Sequence, residues 1–178
     1  MLRQTPLLKD GFIGTVPQVD VEFCNVHFSY NDTPVINGIS LSIPAKSLTA
    51  LVGPSGSGKT TLTRLIARFW DVNEGEIRVG GINIKDYKIE TLMAQIAIVF
   101  QDVYLFNDTI YNNILVGKEN ATKEEVIAAA KAAQCHDFIT AFPQGYGTMV
   151  GEGGSTLSGG EKQRISIARA ILKDAPIV

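Results

Sequence analysis

Gly53-Pro54-Ser55-Gly56-Ser57-Gly58-Lys59-Thr60, followed by Thr61, fits the pattern G-x-x-x-x-G-K-[ST]. Each part of it suits an anion. The glycines let the backbone curl so that successive N–H groups point at phosphate oxygens, and the start of a helix adds its partial positive charge. Lys59 is placed to reach the outer phosphates of a nucleoside triphosphate, and the Thr60 hydroxyl is an oxygen ligand of the kind Mg2+ accepts. The flanks agree with the motif. Ser47 to Val52 (SLTALV) is a short apolar segment suited to a strand buried on both faces. Leu62, Leu65, Ile66 and Phe69 recur at i, i+3, i+4 and i+7, the apolar face of a helix starting near Lys59. Strand, glycine loop and helix in that order predict an α/β nucleotide-binding fold of the P-loop NTPase class.

Outward from the loop, the chain alternates helical and extended patterns. Val19 to Tyr30 (VDVEFCNVHFSY) has period two in its first half and predicts a half-buried strand; Asn31 to Pro34 is a turn and Gly38 to Ile43 a further strand. Glu76 to Ile84 reads as two strands joined at Gly80-Gly81, Ile89 to Gln95 as a short helix, and Ile96 to Phe100 as another buried strand. Thr122 with Glu125, and Ser158 with Glu161, are capping boxes. The first opens a helix expected to run to about Ala141, and the second opens one whose apolar face is Ile165, Ala168, Ile171 and Leu172. Residues 1–18, with Pro6, Gly11, Gly14 and Pro17, are expected to be an irregular lead-in or linker.

Composition removes several classes. The 178 residues are 45% hydrophobic and 19% charged with a net charge of −2, a globular balance without the positive field that non-specific nucleic-acid binding needs. No apolar run exceeds five residues, against about 20 for a membrane-spanning helix, and the amino terminus has no signal-peptide pattern. A cytosolic environment is expected. Cys24 and Cys135 lack metal-ligand spacing and are expected to be small buried hydrophobes.

A phosphate loop alone leaves many enzymes open. The second informative stretch is Leu157-Ser158-Gly159-Gly160-Glu161, followed by Lys162-Gln163-Arg164. It offers a hydroxyl, two unobstructed glycine N–H groups and a helix dipole, which suits an anion, although a capped helix alone needs no ligand. LSGGEKQR together with GPSGSGKT resembles the nucleotide-binding domain of ABC transporters. The resemblance covers about Val19 to Val178 and implies a RecA-like core with a mainly parallel sheet, an antiparallel β subdomain and an α-helical signature subdomain.

It also implies roles. Tyr30, in Phe28-Ser29-Tyr30, falls where the family places the aromatic that stacks on adenine. Gln101 matches the glutamine that contacts Mg2+ and the attacking water, so Thr60 and Gln101 are the implied metal-contacting residues and Gln101 the one catalytic contact. Leu157, Ser158, Gly159, Gly160 and Glu161 act in trans, on ATP held by the phosphate loop of a second nucleotide-binding domain. The run 102–114 (DVYLFNDTIYNNI) and Val150-Gly151-Glu152-Gly153-Gly154 look like exporter-type segments. Phe106 and its neighbours then lie where a transmembrane domain docks, and the domain sits on the cytoplasmic face of the cell membrane. By this reading residues 1–18 are a linker from a transmembrane domain, and 19–178 a nucleotide-binding domain lacking its carboxy-terminal part. Lys173 to Val178 approaches the strand that carries the family's acidic residues, so the 178 residues by themselves are expected to bind ATP without hydrolysing it. An alternative is a soluble ABC-type ATPase acting on DNA or ribosomes; it predicts coiled-coil insertions or a basic flank, and neither is present.

Overall fold

The computed structural model describes residues 8–16 and 19–178; residues 1–7 and 17–18 of the expected lead-in lie outside the described residues. The chain divides into two compact units, one running to Ile96 and including Ile177, the other covering Ala97–Pro176 with Val178.

The first unit is built on an antiparallel sheet. β1 (Val21–Ser29) pairs with β2 (Pro34–Ile43) on one side and, after the helix α1 (Lys59–Ile66), with β3 (Glu74–Val79) on the other, and β4 (Ile82–Asn83) closes the order β2-β1-β3-β4. The register Val21↔Ile43 and Val21↔Val79 places Val21, Phe23, Ile77 and Val79 together, all buried, as the alternation of the sequence requires. A bulge at Asn25, with φ of 46°, shifts the register, so that Val26 and Phe28 also turn inward. A 3-10 turn (Ile84–Asp86) leads to α2 (Ile89–Ala94), and Leu92 and the fully buried Tyr87 add to the core.

Two expected strands do not form. Residues 47–52 have no ladder partner among the described residues, and Leu48 and Val52 are 101% and 90% exposed. In the segment 96–100 the β-bridge seen among the described residues is one parallel bridge from Ile96 to Ile177, with Ile177 N–H donating to Gln95 O at 3.0 Å. A strand buried on both faces takes its hydrogen bonds from neighbours on both edges, so its apolar sequence cannot organise it alone.

The second unit is helical: α3 (Ile110–Leu115), α4 (Lys123–Ala132), α5 (His136–Ala141) and α6 (Gly159–Lys173), with 3-10 turns at Gly145–Gly147 and Glu152–Gly154. Ile110 and Ile114 of α3, Val126 and Ala130 of α4, Ile139 of α5, and Ile165, Ala168 and Leu172 of α6 form one core. Both capping boxes are made. The helix expected from Thr122 to about Ala141 is broken, because Gln134 takes a left-handed φ of 56° and separates α4 from α5. Ile171, expected on the buried face of α6, is 41% exposed. Cys135 is buried and burial pushes its thiol up to about 11, whereas Cys24 is half-buried; both are free thiols. Among the described residues no helix is long and apolar enough to cross a membrane.

Candidate functional site

The glycine loop lies in the first unit between residue 52 and α1. Gly56 and Gly58 adopt φ of 80° and 86°, a region that side-chain-bearing residues rarely enter, and Gly58 serves as the N-cap of α1 without any side-chain acceptor. A Cβ on Gly58 would also press against Ile36 Cδ1 of β2 at 2.6 Å, so the glycine lets the loop lie against the sheet. Lys59 folds back over the loop: its ammonium donates to Gly53 O at 2.9 Å, Pro54 O at 2.7 Å and Ser57 Oγ at 3.2 Å. The charge is therefore parked in the mouth of the loop. Among the described residues no acceptor takes the N–H of Gly56 or Gly58, and the first turn of α1 adds its own open donors. Open N–H groups, a helix start and an ammonium converging on one concavity can hold a polyphosphate.

α1 is seated by Leu62 and Leu65, both buried, and ends earlier than its apolar spacing suggests: Ala67 is its C-cap, Arg68 has φ of 52°, and Phe69 falls outside the helix. Thr60 is exposed in the first turn, with its hydroxyl available. Thr61 points the other way, buried, with Oγ1 3.3 Å from Tyr30 Oη. Tyr30 receives T-shaped contacts from Phe28 at 4.9 Å and Trp70 at 5.0 Å between centroids, yet remains 42% exposed. The tyrosine is thus tied to the helix that starts at the phosphate loop and still has free surface for a flat ligand. Trp70 is a member of this site that the sequence does not announce; Arg68-Phe69-Trp70, which follows α1, carries no spacing signal that would point to it.

Gln101 and Leu157–Glu161 belong to the second unit. Gln101 sits in an exposed bend. At the start of α6, Ser158 Oγ accepts the Glu161 N–H at 3.3 Å and donates to Glu161 Oε2 at 2.7 Å, while Ser158 N–H donates to the same carboxylate oxygen at 2.8 Å. These bonds hold the Glu161 carboxyl below the usual carboxylate range, the Ser158 hydroxyl contributing most. The hydroxyl expected to face an anion is therefore used as a cap. Leu157 is buried in the helical core, and a Cβ on Gly159 or Gly160 would meet open space.

The exporter-like run is organised by residues whose role the sequence concealed. Asn113 of α3, 1% exposed, accepts the Phe106 N–H at 2.9 Å and donates to Phe106 O at 3.0 Å and Thr109 O at 2.9 Å. Arg169 of α6 donates to Asn113 O at 2.5 Å and Tyr104 O at 2.9 Å, and lies 5.6 Å from the Phe106 ring centroid. This pins a loop that carries two exposed aromatics, Tyr104 and Phe106, in a T-shaped pair at 5.8 Å.

The profile of the ABC transporter family matches residues 36–178. The chain is 52% identical over 158 residues to an ATP-dependent lipid A-core flippase of Syntrophus aciditrophicus (strain SB), covering 89% of this chain and 26% of the flippase. It is 51% identical over 184 residues to the mitochondrial iron-sulfur clusters transporter ABCB7 of Homo sapiens, covering all of this chain and 24% of that protein. The structure of a bacterial Atm1-family ABC exporter with ATP bound superposes with a TM-score of 0.89 at 45% identity, over 96% of this chain and 30% of that one. The chain thus spans about a quarter of the length of these relatives, all transporters, and the reading as a DNA- or ribosome-directed ATPase finds no support among them. The P-loop NTPase fold class expected from the glycine loop holds, and this chain belongs to the ABC transporter family, as an ATP-binding domain of its exporter type, a family of ATPases.

Proposed function

We propose that this chain is the motor domain of an export transporter on the cytoplasmic face of a membrane. It holds ATP and Mg2+ in the first unit and works with a second nucleotide-binding domain and a transmembrane domain to move a substrate outward. The observation that carries this is the phosphate loop: Lys59 rests on Gly53 O, Pro54 O and Ser57 Oγ, all neutral oxygens, beside unfilled N–H groups. An ammonium resting on neutral oxygens gains a direct attraction between opposite charges when a phosphate oxygen replaces them. Residues Gly53 to Thr61 then wrap the phosphates, and Tyr30 offers its open face to the adenine.

Mg2+ fits the donors present. In the first unit the exposed Thr60 hydroxyl is an oxygen donor in the first turn of α1, beside the loop that would carry the phosphates. A single protein hydroxyl suits an ion that keeps several waters and is held largely by phosphate oxygens. When bound, the ion would neutralise phosphate charge; the Thr60 hydroxyl would help hold it, and the Gln101 amide of the second unit is the other contact that the family resemblance implies.

The capped signature supports a division of labour. With Ser158 Oγ engaged by Glu161, the donors left at the start of α6 are the N–H groups of Gly159 and Gly160, and they meet ATP when a second domain brings a nucleotide to them. The Tyr104–Phe106 pair, exposed and held by Asn113 and Arg169, suits docking of a transmembrane domain. Titration of the 178-residue chain with a fluorescent ATP analogue tests the first step: saturable binding, competed by ATP and strongly weakened in Lys59→Ala, is expected, and absence of binding by the unmodified chain would refute it.

A further inference from the structure

Residues 8–16 contain neither helix nor strand, yet they are fastened to the first unit. The N–H of Gly11 donates to Tyr87 O at 3.2 Å, those of Phe12 and Ile13 both donate to Asp86 O at 2.9 Å, and Lys88 N–H donates to Ile13 O at 3.0 Å. Ile13 and Tyr87 form a parallel bridge. Asp10 Oδ1 accepts the N–H of Ile89 at 2.7 Å. Ile89 is the first residue of α2, whose own N-cap position, Lys88, supplies no acceptor, so the helix is capped from a distant segment. Gly11 lies so close to the Tyr87 carbonyl and the Asp86 backbone that a Cβ there would overlap them.

The same segment reaches the nucleotide site through Arg68. Arg68 Nη2 donates to Lys9 O at 2.7 Å, and its Nε donates to Asp71 at 3.0 Å. The side chain is buried, and the Arg68 N–H donates to Leu65 O at 2.9 Å at the end of α1. Beside Asp71 stands Trp70, whose ring meets Tyr30, and Tyr30 Oη in turn meets Thr61. One turn, 67–71, thus touches the end of α1 and, through Trp70, the aromatic at its beginning.

We propose that the arm formed by residues 9–13 is a positioning element for the nucleotide site, with Arg68 as the positioning residue that links them. The proposal rests on the reading of loop 53–61 as an ATP site. A buried guanidinium that loses a carbonyl partner must find water or another acceptor, so leaving of the arm displaces Arg68 and the turn it organises. Because α1 and Tyr30 are both attached to that turn, seating of the arm and binding of nucleotide favour each other, and linkage makes the effect reciprocal.

Gly11→Ala is the direct test, since the added methyl wedges the arm off Tyr87 without touching α1 or the loop. In the 178-residue chain, amide exchange at Phe12, Ile13 and Lys88 is expected to accelerate, and affinity for ATP to fall on the order of fivefold. In the unmodified chain, saturating ATP is expected to slow exchange at those three amides, which a purely structural arm would not show. Arg68→Gly, compatible with the left-handed backbone, is expected to reproduce the affinity loss, and Arg68→Lys to recover part of it. An arm released in Gly11→Ala with ATP affinity unchanged overturns the proposal, as does an arm that stays seated despite the methyl. Failure of the unmodified chain to bind ATP, with the arm protected as described, would instead refute the reading of the loop.

Discussion

The two glycine-rich helix starts of this chain are chemically alike in sequence and opposite in structure. At the phosphate loop, α1 begins on Gly58 with no side-chain cap, and the nearby cation leans on neutral oxygens. At the signature, α6 begins on Ser158 inside a complete capping box, with an ionised Glu161 over its first turn. The uncapped start leaves its first-turn donors open beside an ammonium; the capped one has the N–H groups of Ser158 and Glu161 taken, keeps those of Gly159 and Gly160, and sets a carboxylate across them. The lesson is that glycine content and helix polarity do not by themselves make an anion site. What stands beside the N-terminal donors, an ammonium at α1 and a carboxylate at α6, separates the two helix starts.

Substitutions can break this contrast. The largest effect is expected for Lys59→Ala, which removes the charged contact to phosphate: ATP affinity should fall by about 2 kcal/mol, or roughly thirtyfold, in calorimetric titration, with little change in the urea midpoint. Ser158→Ala should do the reverse in the single chain, lowering stability by about 1 kcal/mol in urea unfolding while ATP affinity stays as it was. A parallel loss of both in either variant would show that the two helix starts are not distinct. Glycine substitutions sharpen the point through opposite signs. Gly56→Ala places a side chain at φ of 80° and should cost about 1 kcal/mol, whereas Gly160→Ala, helical and facing open space, should be neutral or stabilise by about 0.5 kcal/mol.

The smallest effect concerns pH. The folded Glu161 carboxyl sits below its ordinary value because the Ser158 hydroxyl, then the Ser158 N–H, then Arg164 favour its charged form. A lowered folded value means the contribution is complete above the ordinary carboxylate range and is lost as pH falls through the lower, folded value. Thermal melts between about pH 6 and pH 3 should therefore show an acid-side loss that Glu161→Gln reduces. The uncapped α1, with no acidic residue in its first turn, has no counterpart to that titration.

How much of this was legible depended on the range of the interactions involved. Both capping boxes could be read because their partners lie three residues apart and the chemistry is local. The antiparallel strands could be read because alternation at Val21 and Phe23 reports burial on one face. Segments 47–52 and 96–100 misled, since a continuous apolar run names a preference for neighbours and not the neighbours themselves. Left-handed Gln134 and Arg68 carry no glycine or asparagine to announce the turn, so a helix was drawn too long in each place. Asp10 capping α2, Trp70 against Tyr30 and Arg169 on Asn113 join residues far apart in the chain, which no local pattern encodes.

The bare segment 47–52 has a practical meaning for anyone handling these 178 residues. Leu48 and Val52 stand in water, and the stretch Ser47-Leu48-Thr49-Ala50-Leu51-Val52 has no charge, no proline and no ladder partner among the described residues. A strand from another molecule would satisfy it as well as one from its own chain. Purified material should accordingly become turbid with concentration and time, and a lysine at position 48 should slow that clouding while leaving the phosphate loop, which begins at Gly53, free to bind.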